Sequence, residues 1–109
     1  KEVKFTEDAG YDATIDLIRN VEFDAIATTD DLIAVGALKA LRDHGREDVL
    51  VTGFNNTPIA NYQNPPLTTV EINADKLGYY AAKLLISKLQ KVDSSLNSYI
   101  VDTKLIKQT

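Results

Sequence analysis

Short apolar runs alternate along this chain with longer stripes of apolar residues at helical spacing. The order is clearest between residues 23 and 54. Residues 24–28 form an apolar strand. Ile33, Ala37, Ala40, Leu41 and His44 then make a helical stripe, widened by Leu32, Val35 and Leu38, and residues 49–54 make a second strand. Parallel strands crossed by such a helix belong in a sheet covered on both faces. Upstream, residues 1–5 (KEVKF) read as a short charged strand. Thr6 is the N-cap of a helix carrying Tyr11, Thr14, Ile15 and Ile18 on one side, with Glu7 and Asp8 at its positive end. Downstream, residues 55–64 are turn-rich, with one helical turn near 58–62. Pro65-Pro66 stops regular structure before the strand-like LTTVEI. Asn73 or Asp75 caps a long helix with Leu77, Ala81, Leu84, Leu85 and Leu89 on its apolar side. A polar loop at 92–98 and an alternating strand at 99–106 follow. The fold class is α/β with a mainly parallel sheet.

Composition changes this picture little. The 109 residues suit one small domain, and 44% hydrophobic with 26% charged residues is ordinary for a globular chain. No apolar run approaches membrane length, and a net charge of −4 gives no electrostatic footprint for nucleic acid. Cysteine is absent, which excludes disulfides and thiolate chemistry. With no methionine and a start at Lys1, the chain reads as a piece of a longer protein.

The polar residues just past the two central strands carry the candidate chemistry. In open α/β sheets ligands bind outside the carboxyl ends of the strands. Asp30 and Asp31 follow the first strand, and Asn55 and Asn56 follow the second. One aspartate could accept from ligand hydroxyls while the other caps the helix, or both could serve as caps. Asn55 could offer a planar amide to adjacent sugar hydroxyls, or supply only turn chemistry. Phe5 could be core or an aromatic platform for a sugar ring. The lone His44, the missing cysteines and serines confined to positions 87, 94, 95 and 98 leave no triad and no metal site. No phosphate-binding glycine motif occurs. Nothing argues for an enzyme or a cofactor.

Three runs, DDLIAVGALKALRDHG, VTGFNNTPIA and PPLTTVEINADKLGYYAAKLLI, together resemble the effector-binding core of LacI/GalR-type bacterial transcriptional regulators. FTEDAGYDATIDLI is also similar to the segment before that core's central strand. The resemblance covers nearly the whole chain. It implies a type I periplasmic-binding-protein-like fold whose two subdomains, each with a Rossmann-like parallel sheet, close on a sugar or related effector. It also implies a cytoplasmic homodimer, with operator DNA bound through an N-terminal domain absent from this chain. By motif, Asp30 and Asn55 fall on effector-binding positions, Phe5 on a pocket aromatic, and Val35 on the dimer-interface helix. The departure is Asn55, where the family usually has aspartate; Asp30 could then supply the charge.

The resemblance assigns residues 1–66 and about 99–109 to the C-terminal subdomain, and about 67–98 to a crossover toward the other one. It places a further strand between the KEVKF and AIAT segments, so without it either dimer contacts form at that edge or the first strand rearranges. The expected function is ligand sensing in a sugar-responsive repressor. The alternatives are a sugar-binding protein of an ABC transporter and a phosphoacceptor signalling domain using Asp30 or Asp31.

Overall fold

The computed structural model describes residues 1–91 and 98–108. The elements run α1 (Glu7–Asn20), β1 (Ala25–Ala27), α2 (Asp31–Asp43), β2 (Leu50–Thr52), α3 (Pro58–Asn61), β3 (Thr69–Glu71), α4 (Ala74–Leu89) and β4 (Lys104–Ile106). Most of the polar loop expected at 92–98 lies outside the described residues.

The central crossover unit forms as its pattern predicts. β1 and β2 pair in parallel, with Ile26 opposite Val51. The sheet continues past β2: Gly53 N–H donates to Thr68 O at 2.9 Å, and Asn55 N–H donates to Val70 O at 3.0 Å. These bonds set β3 parallel to the end of β2, and β4 closes on β3 antiparallel. Two isolated parallel bridges, Thr52 with Thr68 and Asn55 with Glu71, thus link the β1–β2 pair to the β3–β4 pair.

The core lies around α2, where eight residues of the helix are buried. Ala34, Ala60 and Leu67 form its centre, with Leu38 and Val51 packed against them. α1 crosses α2 closely because two glycines meet the facing backbone. A Cβ at Gly36 would stand 2.0 Å from Glu7 O, and one at Gly10 would stand 2.3 Å from Ile33 O. Thr6 caps α1 through its hydroxyl, which accepts from Ala9 N–H at 3.0 Å. Tyr11 ties the two helices at the surface by donating to Asp43 at 2.9 Å.

Three expectations are corrected. Residues 1–5 form no strand; a strand exists only where its N–H and C=O groups find a ladder partner, and here Lys1 instead pairs with Asp16 of α1. The alternation at 99–106 yields only Lys104–Ile106 as strand, since β3 offers just three residues to pair with. The parallel pair is not covered on both faces. Val51 faces α2, but the flanking Leu50 is 64% exposed, and Ala25, Ala27 and Thr52 are exposed with it.

α4 differs from the other long helices. None of its residues is buried. Its capping residue Asn73 has a left-handed backbone, and its amide donates to Asp102 O at 2.6 Å instead of capping the helix. Tyr80 stacks on Tyr99 with ring centroids 4.3 Å apart. No helix among the described residues is long and apolar enough to cross a membrane.

Candidate functional site at the strand ends

β1 and β2 deliver their next residues to one edge of the sheet. Thr28 fixes the spacing there: its N–H donates to Thr52 O at 3.0 Å, and its hydroxyl lies 2.8 Å from Thr52 O and 2.9 Å from Asp30 O. The two aspartates that follow have different tasks.

Asp30 is the N-cap of α2, with Oδ2 accepting from Leu32 N–H at 2.9 Å. Its other oxygen, Oδ1, accepts from the Asn55 side-chain amide at 2.8 Å. A carboxylate offers only acceptors, so the amide must present its N–H here; its carbonyl then faces away. Asp30 is 9% exposed and Asn55 is half-buried. The sequence thus offered cap and ligand contact as alternatives, whereas this one carboxylate caps the helix and also joins the end of β1 to the end of β2.

Asp31 is fully buried and caps nothing with its side chain. Oδ2 accepts from both the N–H and the hydroxyl of Thr57, at 2.7 and 2.8 Å, and Oδ1 accepts from the Thr69 hydroxyl at 2.7 Å. Thr69 in turn accepts from Asn56 N–H at 3.2 Å. Burying a lone carboxylate costs several kcal/mol, which these three bonds and the helix N-terminus offset. The result pins the turn after β2 and the start of β3 to the start of α2. Gly53 makes room for it, since a Cβ there would stand 2.1 Å from Asp31 Oδ1.

That pin holds a strained turn. Asn55 has φ 101° and Asn56 has φ 49°. Both are fixed by their N–H bonds to β3, and strained residues held in this way collect at ligand sites. Asn56 Oδ1 is buried with no hydrogen-bond partner among the described residues.

The other two sequence candidates lie elsewhere. Phe5 sits at the bend before Thr6 and is 62% exposed; no hydrogen bond or aromatic contact joins it to the pair. Val35 is 8% exposed, so within this chain its side chain lies in the core. A cavity of about 410 Å³ lies away from the pair, between Leu38 and Arg42 of α2, β2 and Pro65-Pro66. Asp30 and Asn55 therefore stand on one open wall. Sequence reasoning missed Asp31 as the pin, together with Thr57, Thr69 and Gly53. The signal was available only as a buried-type position one residue inside a helix start.

A parallel strand–helix–strand unit with β3 set beside its second strand is the architecture of a periplasmic-binding-protein-like domain. The model of the periplasmic binding protein-like domain matches residues 1–108, and the chain belongs to that family, in the branch of LacI-type transcriptional regulators. It is 31% identical over 94% of its length to the HTH-type transcriptional regulator CelR of Thermobifida fusca, of which it covers 31%. The crystal structure of a LacI-type transcription regulator from Bifidobacterium animalis superposes with a TM-score of 0.85 at 36% identity, over 95% of this chain and 39% of that one. A LacI family regulator from Enterococcus faecium with bound ribose superposes with a TM-score of 0.86 at 25% identity, over 97% of this chain and 40% of that one. The chain thus spans about a third of the length of the first such relatives.

Proposed function

We propose that this chain is the ligand-sensing part of a cytoplasmic, sugar-responsive transcriptional repressor. On this reading the whole protein binds operator DNA through an N-terminal domain, and it is not an enzyme. The observation that carries the reading is the 2.8 Å contact of Asn55 with Asp30 at adjacent parallel strand ends. It presents two rigid polar groups where small ligands dock on such sheets. The relative with bound ribose supports a sugar as the ligand class. Phe5, being exposed, would turn onto the sugar only when a second lobe closes over the wall. The chain would leave this lobe after Glu71, with α4 carrying it toward the other lobe and β4 returning. A homodimer would use the α2 side, where Leu38 and Arg42 border the cavity, with Val35 lying behind that surface in the core.

Neither alternative has comparable support. A phosphoacceptor must reach its phosphodonor, and Asp31 is fully buried while Asp30 is held by two hydrogen bonds. A transport protein is disfavoured because the relatives are DNA-binding regulators.

The test is operator binding by the full-length protein over a panel of sugars. At least one sugar should change operator affinity, and Asp30→Ala should remove that response while leaving sugar-free operator binding in place. An Asp30→Ala protein that responds as strongly as the parent would reduce Asp30 to a helix cap.

A further inference from the structure

The direction of the Asp30–Asn55 hydrogen bond bears on which ligands this wall accepts. Asn55 uses one N–H on Asp30 Oδ1, and Asp30 Oδ2 is taken by Leu32 N–H. The Asp30 carboxylate keeps unused acceptor directions, the Asn55 carbonyl keeps its lone pairs, and a single amide N–H is left as donor. Both ion pairs among the described residues, Lys1–Asp16 and Arg46–Asp48, lie elsewhere and leave the Asp30 charge without a cation.

We infer that this wall selects a neutral, donor-rich ligand, a polyol with adjacent free hydroxyls, and discriminates against phosphorylated or carboxylated sugars. This rests on the reading of Asp30 and Asn55 as a sugar-binding pair. Each ligand hydroxyl has a proton to give to the acceptor-rich pair. An anionic group has none and meets the Asp30 charge, at a distance where like charges repel appreciably under partial desolvation. Specificity here follows from a repulsive element as well as an attractive one. The single charge belongs to the pair as a unit, so exchanging the two residues should preserve it. In D30N/N55D the amide at 30 donates to the carboxylate at 55.

The experiment is a thermal-shift and calorimetric titration of the full-length protein with D-ribose, D-glucose and cellobiose, each beside ribose 5-phosphate, glucose 6-phosphate and glucuronate. D30N retains a helix cap, because asparagine caps as well as aspartate, but it removes the charge. The expected results are a neutral sugar bound at least ten-fold more tightly than its anionic counterpart, a ratio that narrows in D30N, and recovery in D30N/N55D. A phosphorylated sugar bound as tightly as its neutral parent would overturn the selectivity while leaving the sugar-binding reading intact. A neutral preference unchanged in D30N would also overturn it, by placing the discrimination elsewhere. Failure of every sugar, neutral and anionic alike, would remove the sugar-binding reading and this inference with it.

Discussion

α2 and α4 carry the same kind of amphipathic stripe, yet one is the core of the molecule and the other is uncovered. Of the thirteen residues of α2, eight are buried; of the sixteen of α4, none is. α2 is covered because α1 crosses it at Gly10 and Gly36 and because Ala60 of α3 and Leu67, just past Pro65-Pro66, pack on it. α4 meets no such set: Leu77, Leu85, Ile86 and Leu89 all face outward. An apolar stripe records that a helix is to be covered and does not record by which segment. The strand ends show the same asymmetry, since the Asp31 pin is complete within this chain while the wall carrying Asp30 and Asn55 is open.

The comparison breaks most severely at the pin. Asp31→Ala leaves Thr57 N–H, its hydroxyl and the Thr69 hydroxyl without their acceptor, and should cost about 3 kcal/mol in chemical denaturation. Gly53→Ala should act in the same direction by driving a methyl against that carboxylate. A loss under about 0.5 kcal/mol in Asp31→Ala would mean that the network contributes little.

Leu85→Ala sharpens the contrast between the helices. In this chain it should change stability by less than about 0.5 kcal/mol, as at an exposed position. If a second lobe covers α4 in the full-length protein, the same change should cost about 2 kcal/mol or more there. Equal, small losses in both would leave α4 without a cover. Asp30→Asn should stay within about 0.5 kcal/mol of the parent, because the cap survives.

The smallest effect concerns the surface tie between α1 and α2. The hydrogen bond to Asp43, with some desolvation and the charges of Asp43 and Asp12, raises the Tyr11 pKa above the ordinary 10.0. A raised phenol contributes stability that is present below pH 10 and lost as pH climbs through its folded value. Tyr11→Phe should flatten that alkaline limb in a pH series of denaturation curves by slightly lowering the plateau below pH 10.

The legible parts of this molecule were those fixed by local pattern. Thr6 caps its helix as residue type and position foretold, Asp30 takes the cap left open between it and Asp31, and the apolar run of 24–28 and that of 49–54 pair in parallel. Illegible were features that depend on a distant partner. KEVKF has the alternation of a strand but no neighbour to ladder with, and Leu50 has the character of a core residue but no helix above it. Asp31 looked like a second capping carboxylate, because its real partners, Thr57 and Thr69, lie 26 and 38 residues away. The Asp30–Asn55 pair was legible as two candidates; their contact was not.

The most direct measurement is a crystal structure of the full-length protein with the sugar that binds it best. The account predicts sugar hydroxyls within hydrogen-bond distance of the Asp30 carboxylate and the Asn55 carbonyl, with the Asn55 amide still donating to Asp30. A bound sugar that touches neither residue would contradict it.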